Sequence, residues 1–299
     1  AKPVVSARMP VLYRIIPVVF LLLWSSAFVA AKLGLPYTEP LTYMGLRFVL
    51  VTVIFMAAAL ILRARWPGSP REAFDIALVG FLIHGIYLSG VFIAISRGMP
   101  AGFAALIVGL QPVLTAVLAP RWLGERMVTR QWLGAALGFL GVAMVLWNRL
   151  TLEGLDSWGI VVCTFSLIGI STGTIYQKRY CQNMDLVSGS AIQASVAMIM
   201  TVAGAFLFEE MTVVWHPEFI AALSWQVLAV SVGAFSLLML MIRHGEATKV
   251  ASLLYLVPPT TAVMAFFAFG ESLGIIAMLG IAGAAVGVAL VVRPVASKL

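Results

Sequence analysis

The sequence predicts an all-α integral membrane protein, with ten transmembrane helices arranged as two inverted five-helix repeats and both the N- and C-termini cytoplasmic. Three observations predict it: a composition too apolar for water, a one-sided placement of basic residues, and a set of motifs that recurs halfway along the chain. Of 299 residues, 62% are hydrophobic and only 10% charged, and the mean hydropathy is +1.05. Soluble domains carry roughly 45–50% apolar and about 25% charged residues, and one core cannot hide the surplus because surface grows with volume. A span takes about 20 apolar residues, so ten spans use about 200 positions and leave about 100 for loops and ends. That remainder excludes a large domain outside the membrane.

Apolar segments bounded by charge, Pro or Gly fall at about 15–33, 42–62, 76–96, 101–120, 131–147, 158–176, 187–208, 219–242, 248–269 and 273–292. The first follows a polar, basic stretch from Ala1 to Arg14. Its apolar run, Ile15 to Ala31, exceeds a signal-peptide core and lacks a clear cleavage site, so it reads as a span. Arg97-Gly98-Met99-Pro100, Arg243-His244-Gly245-Glu246 and Phe269-Gly270-Glu271-Ser272 each reverse the chain within about four residues, which makes the helices they join antiparallel neighbours.

Orientation follows from the basic residues, because cytoplasmic loops retain Lys and Arg. With the N-terminus inside, fifteen of them lie in cytoplasmic segments and three, Lys32, Arg97 and Arg149, lie outside. The acidic loop from Glu209 to Glu218 carries no basic residue and falls outside, as expected. The net charge of +7 and pI near 9.7 therefore report topology: the basic residues are dispersed between apolar runs and form no stripe for nucleic acid. Two cysteines, Cys163 and Cys181, make neither a disulfide framework nor a metal cluster. His84, His216 and His244 are too scattered for a metal site, and no cofactor is expected.

The two halves, residues 1–150 and 151–299, share a pattern. Pro112, Leu123-Gly124-Glu125, Trp132-Leu133-Gly134 and Gly141-Val142-Ala143-Met144-Val145 correspond to Pro259, Phe269-Gly270-Glu271, Met278-Leu279-Gly280 and Gly287-Val288-Ala289-Leu290-Val291. The offset is 147 residues at the prolines and 146 at the later positions, which implies one residue lost between them. Five spans per half is an odd number, so the copies lie in opposite orientations. Inverted repeats are a recurrent design of secondary transporters, with the binding site near the midplane at the repeat interface. Two near-equivalent halves supply two near-degenerate states, one open to each side, and this geometry favours alternating access.

The motifs also match a family. Trp24-Ser25-Ser26-Ala27-Phe28-Val29-Ala30-Ala31-Lys32, Leu46-Arg47-Phe48, and Leu123-Gly124-Glu125-Arg126 with Gln131-Trp132-Leu133-Gly134 resemble the EamA-type branch of the drug/metabolite transporter superfamily. Ser25 stands where that family has a glycine. The resemblance implies two five-helix repeats and movement of metabolites, often amino-acid export, by a multi-pass protein of a bacterial inner membrane.

Signals of other chemistry have plainer readings. Gly169-Ile170-Ser171-Thr172-Gly173 has the G-x-S-x-G spacing of a serine nucleophile elbow, but it lies inside an apolar helix without a nearby His or acid, so it reads as small residues for close helix packing. No P-loop occurs. Ser297-Lys298-Leu299 matches a peroxisomal address and reads as an ordinary basic cytoplasmic end. Gly134 with Gly138 and Gly283 with Gly287 form G-x-x-x-G faces on bracing helices, available also for a homodimer; the chain is otherwise a monomer in the bilayer.

Polar side chains inside spans are the informative ones, because hydrocarbon offers them no partner. Trp24, Ser25 and Phe28 on the first span, and Ser171 and Thr174 on the sixth, are matched first-helix faces. His84 and Tyr87 are i and i+3 on the third. Gln111 precedes Pro112 in the fourth, and Pro258 and Pro259 occupy the matching place in the ninth, with Tyr255 and Ser252 one and two turns earlier. Prolines free backbone carbonyls and act as helix breaks or hinges beside cavities. These groups are expected to surround a central pocket that binds a small-molecule substrate. Arg47 reads as structural, snorkelling or bonded to backbone carbonyls, rather than as an anion site. Glu125 and Glu271 read as helix caps or partners across a loop, and all twelve acidic residues fall in loops or at helix ends. The sequence thus predicts a transporter of small metabolites, neutral or aromatic amino acids first, with efflux of drugs or other metabolites as the alternative. A channel would need a polar pore stripe and an enzyme a catalytic constellation, and neither is visible.

Overall fold

The structure, a computed structural model, describes residues 11–123, 128–152, 157–243, 254, 256–271 and 274–292, and among these it is helical apart from turns and one isolated antiparallel bridge, Thr38 to Val213. In chain order the helices are α1 (Val11–Gly34), α2 (Pro40–Ile61), α3 (Pro70–Ser96), α4 (Ala101–Val108), α5 (Gln111–Leu123), α6 (Thr129–Leu152), α7 (Ser157–Tyr180), α8 (Leu186–Phe208), α9 (residues 217–243), α10 (Val257–Phe269) and α11 (Ile275–Val292). Among the described residues, seven stretches are long and apolar enough to cross a membrane: α1 with the turn after it, α2, α3, α4 running into α5, α7, α8 and α9. Leu60, Ile61, Phe206 and Phe267 are among many large apolar side chains left on the outside, the surface that lipid contact favours. Glu125, Arg243-His244-Gly245-Glu246 beyond its first residue, Ser252, Tyr255 and Ser297-Lys298-Leu299 lie outside the described residues.

The helix starts are chemically marked. Pro70 opens α3 and the Ser69 hydroxyl accepts the Glu72 N–H at 3.2 Å, so this helix begins six residues before the expected position 76. Asp75 is consequently inside α3 and buried, accepting the Tyr176 hydroxyl at 2.7 Å and pairing with Arg71 at 3.2 Å, which corrects the expectation that every acidic residue is in a loop or at a helix end. The Asp185 carboxylate caps α8 through the Val187 and Ser188 N–H groups at 2.9 and 3.1 Å. At the tight turns, Gly98 (φ 89°) and Gly270 (φ 66°) take the left-handed conformation that ends a helix abruptly.

Two departures from continuous α-helix matter for function. The fourth span is broken: α4 ends at Val108, Gly109 and Leu110 form a turn, and α5 restarts at Gln111 with Pro112 in its first turn. Helix α10 starts at Val257, with Pro258 and Pro259 behind Leu256. The two restarts are 146 residues apart, which pairs Pro112 with Pro258. The repeat offset is then 146 at prolines, glutamates and glycines alike, and the single lost residue inferred at Pro259 is not needed. The second departure is π-helical hydrogen bonding over Gly80–Leu88 in α3 and Trp225–Ala234 in α9, again at equivalent positions of the two halves. Such widened turns are rare and concentrate at functional sites.

The glycine faces predicted on the fifth and tenth spans meet each other. A Cβ on Gly141 would stand 2.5 Å from the Gly280 carbonyl oxygen, and one on Gly287 2.4 Å from the Gly138 nitrogen. The α6 and α11 backbones therefore touch, and these faces are consumed inside the chain rather than left for a second copy. Gly287→Leu is expected to force the two helices apart, at a cost of about 3 kcal/mol or more, and to lower the thermal midpoint of the detergent-solubilised protein sharply. Gly283→Ala, whose added carbon would find only Gly141 Cα at 3.9 Å, is expected to leave the midpoint unchanged.

Candidate functional site

The predicted polar residues sort into two sets, each held by bonds between helices. In the first, α3 approaches α8 so closely that a Cβ on Gly80 would stand 2.6 Å from Gln193 Cα. His84 Nε2 lies 3.3 Å from Gln193 Oε1, and the imidazole meets the Phe48 ring edge-on at 5.8 Å. Its Nδ1 is buried and has no partner among the described residues. Tyr87, one turn on, is buried in the main core beside Val91 and Phe92. On α5, the Gln111 amide donates to the Thr174 hydroxyl of α7 at 3.3 Å, while that hydroxyl donates to the Ile170 carbonyl at 2.6 Å.

The second set centres on α1. Trp24 packs on Phe20 at 5.4 Å, and Phe28 is buried. The Trp225 indole N–H donates to the Ser26 hydroxyl at 2.8 Å, and the Gln226 amide to the Ala27 carbonyl at 2.7 Å, so the widened turn of α9 is fastened to α1. Thr261 of α10 donates to the Ser25 carbonyl at 3.3 Å. Ser25 and Ser171, 146 residues apart, are both fully buried with hydroxyls that lack a partner among the described residues. Thr115, which the offset relates to Thr261, is half-buried, and its hydroxyl oxygen is likewise without a partner among the described residues. Buried hydroxyls are seldom left orphaned without a reason.

Gly169 and Gly173 behave as small-residue contacts. Added Cβ atoms would stand 2.9 Å from Ile86 Cγ2 and 2.6 Å from Ile83 Cγ1, so they bring α7 against the widened turn of α3. An apolar cavity lies beside the α4–α5 break, walled by Leu106, Gly109, Leu110, Pro258 and Ala284. It contains none of the predicted polar groups, although Pro258, one of the predicted helix-break residues, forms part of its wall.

Four participants escaped the sequence reading: Gln193, Gln226, Ser231 and Thr261. The two amides sit in apolar runs and are buried, so the rule applied to Gln111 would have found them. Arg47 does not snorkel; its guanidinium is turned inward to the Ser231 hydroxyl of α9, at 3.2 Å from Nε and 3.0 Å from Nη2.

One face of the molecule is tied shut across the halves. Lys32 at the end of α1 makes an ion pair with Glu271 and lies 4.7 Å over the Phe269 ring, while Glu271 also accepts the Ala101 N–H at 3.4 Å. Glu271 thus pairs across loops, as its position suggested. On the same face the Glu209 carboxylate accepts the Leu41 and Thr42 N–H groups at 2.8 and 2.7 Å, capping α2 from the end of α8. Tyr37 stacks on His216 at 4.8 Å and donates to Glu218.

Broken helices, widened turns and buried polar groups in a bundle of apolar spans describe a multi-pass helical membrane protein. The chain belongs to the EamA-like transporter family, whose sequence pattern matches it twice, at residues 12–147 and 157–293. It is 26% identical over 264 residues to the uncharacterized transporter YvbV of Bacillus subtilis (strain 168), covering 87% of this chain and 85% of that protein. It is 26% identical over 277 residues to a probable amino-acid metabolite efflux pump of Escherichia coli (strain K12), covering 89% and 90%. A solved structure described only as the crystal structure of a protein shares the fold, with a TM-score of 0.65 at 18% identity over 93% of this chain and 96% of that one.

Alanine at Trp24, His84, Gln111 or Gln193 is expected to lower transport about three- to tenfold at equal expression, the effect of losing one interior hydrogen bond or packing contact. Alanine at Leu137 or Leu279, exposed on the bracing helices, is expected to change it less than about twofold. Equal losses in both sets, read in reconstituted vesicles, would assign the polar groups to packing.

Proposed function

We propose that the chain is a secondary transporter of small metabolites, amino acids first, that alternates access between two inverted five-helix halves, residues 1–150 and 151–299. Ten spans with both termini cytoplasmic satisfy the basic-residue bias. The observation that carries this reading is the constant offset of 146 residues, which relates helix restarts, widened turns, orphan serines and bracing glycines alike. Elements duplicated so faithfully have a reason to be equivalent: each half must adopt, in turn, the conformation of the other. The name of the Escherichia coli efflux pump supports amino-acid cargo, and Trp24, Ser25, Phe28, His84, Tyr87, Gln111, Ser171 and Thr174, with Ser252 and Tyr255, are the residues we assign to its pocket. Pro112, Pro258 and Pro259 serve as the hinges, and no cofactor enters.

The same offset supplies the gates. It carries Lys32 to Lys178 and Glu271 to Glu125. The Lys32–Glu271 pair, which joins the two halves at the proposed outer face, therefore has a sequence counterpart in Lys178 and Glu125 on the proposed cytoplasmic side, and in the proposed cycle each closes its face in turn. Locking one pair arrests the cycle. With cysteines at Lys32 and Glu271, an impermeant cross-linker added from outside is expected to stop transport, and the same reagent confined to the cytoplasmic side to leave it running. Both native thiols are buried, and the Cys181 thiol is pushed up to about 11 by burial, with Asp75 and Glu72 adding, so background labelling is low. Transport that persists with the face locked would end the alternating-access reading.

The cycle is passive in this proposal. His84 bonds Gln193, and Asp75 bonds Arg71 and Tyr176, so the proposal assigns neither residue to proton coupling. An imposed pH gradient is expected not to drive accumulation of an amino-acid panel in proteoliposomes. Gradient-driven accumulation abolished by His84→Gln or Asp75→Asn would make that residue the coupling site.

A further inference from the structure

We infer that Arg47 binds the carboxylate of the cargo, and that the transported molecule is a small carboxylic acid with an apolar body. This rests on the transport reading above and names the chemistry of its site. Arg47 is only 4% exposed, about 10 Å along the axis from the start of α2. A guanidinium at that depth is expensive unless its charge is met. Among the described residues the ion pairs are Lys32 with Glu271 and Arg71 with Asp75, and no carboxylate reaches Arg47. Its bonds go to one neutral hydroxyl, that of Ser231, whose own proton is given to the Gln226 carbonyl at 2.9 Å in the widened turn. Ser231 is thereby fixed as an acceptor and aims the guanidinium without neutralising it. Of the five N–H donors in the fork, two are spent on this hydroxyl.

The position is the one a carrier needs. The offset of 146 residues takes Arg47 to Gln193 and His84 to Val230, the neighbour of Ser231. The Arg47–Ser231 contact between α2 and α9 and the Gln193–His84 contact between α8 and α3 thus join corresponding helices of the two halves, one residue apart in register. The pair straddles the repeat interface, and Phe48 bridges it, with the Arg47 Cζ 5.7 Å and the His84 ring 5.8 Å from its ring. Only one copy carries charge. A cargo lying across this interface meets a cation at one end and a neutral amide and imidazole at the other, among aromatic side chains such as Phe28, Phe48 and Tyr87. That arrangement recognises a carboxylate on an apolar body.

The test is uptake by wild-type proteoliposomes of L-phenylalanine, L-leucine and lactate, each beside its amide. The acids are expected to move about tenfold or more faster than their amides, the discrimination a charge-assisted pair supplies. Arg47→Gln is expected to remove the difference and Arg47→Lys to restore part of it. Ser231→Ala, which leaves the charge in place but unaimed, is expected to raise KM with little change in kcat. Acids and amides moving alike in the wild type, or Arg47→Gln keeping the preference, overturns the carboxylate site while the transport reading stands. No movement of any of the six overturns the amino-acid transport reading itself. Should Arg47→Gln fail to fold, the wild-type acid-to-amide ratio and Ser231→Ala still decide.

Discussion

Hydrocarbon gives a polar group nothing to bond to, and the organisation of this molecule follows from that constraint. A backbone carried through lipid must satisfy itself as helix, and every interruption must be answered by a neighbouring helix. The break before Gln111 is flanked by the Gln111–Thr174 bond, and the widened turn of α9 is fastened to α1 through Trp225 and Gln226. Between apolar helices there is no hydrophobic force to drive association, so backbone contact must replace it. The glycine faces of α6 and α11 make that contact, and so do Gly80 against Gln193 and Gly169 against Ile86. The bracing helices can be nearly featureless because their work is contact alone. The polar helices cannot, because each deviation from regular geometry requires a named partner.

What could be read from the sequence follows the same division. The spans are legible because apolar runs report on lipid directly, and the repeat because glycines and helix-end glutamates recur, Gly141 with Gly287 and Glu125 with Glu271; the prolines are legible only to within one residue, Pro112 pairing with Pro259 by sequence and with Pro258 by the helix restarts. The third span was misplaced at its start because Pro70-Arg71-Glu72 looks like a loop while acting as a capped first turn. The widened turns have almost no compositional mark. A spacing of five, Gly80, Gly85 and Gly90, was the one hint of i→i+5 bonding, and it needed a reason to be sought. Beyond the neighbours joined by tight turns, which helix faces which is not written in the sequence. Snorkelling is what an isolated span allows Arg47, and only the approach of α9 turns it inward to Ser231.

In the proposed cycle, duplication with inversion makes the two halves interchangeable, and this creates a problem as well as a mechanism. A strictly symmetric carrier would present the same chemistry to both ends of its cargo. The places where the copies agree, including the orphan hydroxyls of Ser25 and Ser171, are then the places that support interconversion between states. The places where they differ are where cargo can be told from solvent. Arg47 against Gln193 is such a difference, at equivalent positions and in contacts between corresponding helices, with the charge on one side only.

The ties on one face show how the two demands coexist. Lys32 with Glu271, Glu209 on the start of α2, and Thr38 against Val213 all join elements from opposite halves, and all are part-buried contacts at helix ends. Single hydrogen bonds and ion pairs of this kind each contribute modestly. A closure made of a few separate polar bonds is released bond by bond, whereas the glycine contact of α6 with α11 runs along two backbones and is not. Strength is therefore placed where the halves must stay together and weakness where they must part. A bundle held uniformly tightly would be more stable and would have no second state to visit.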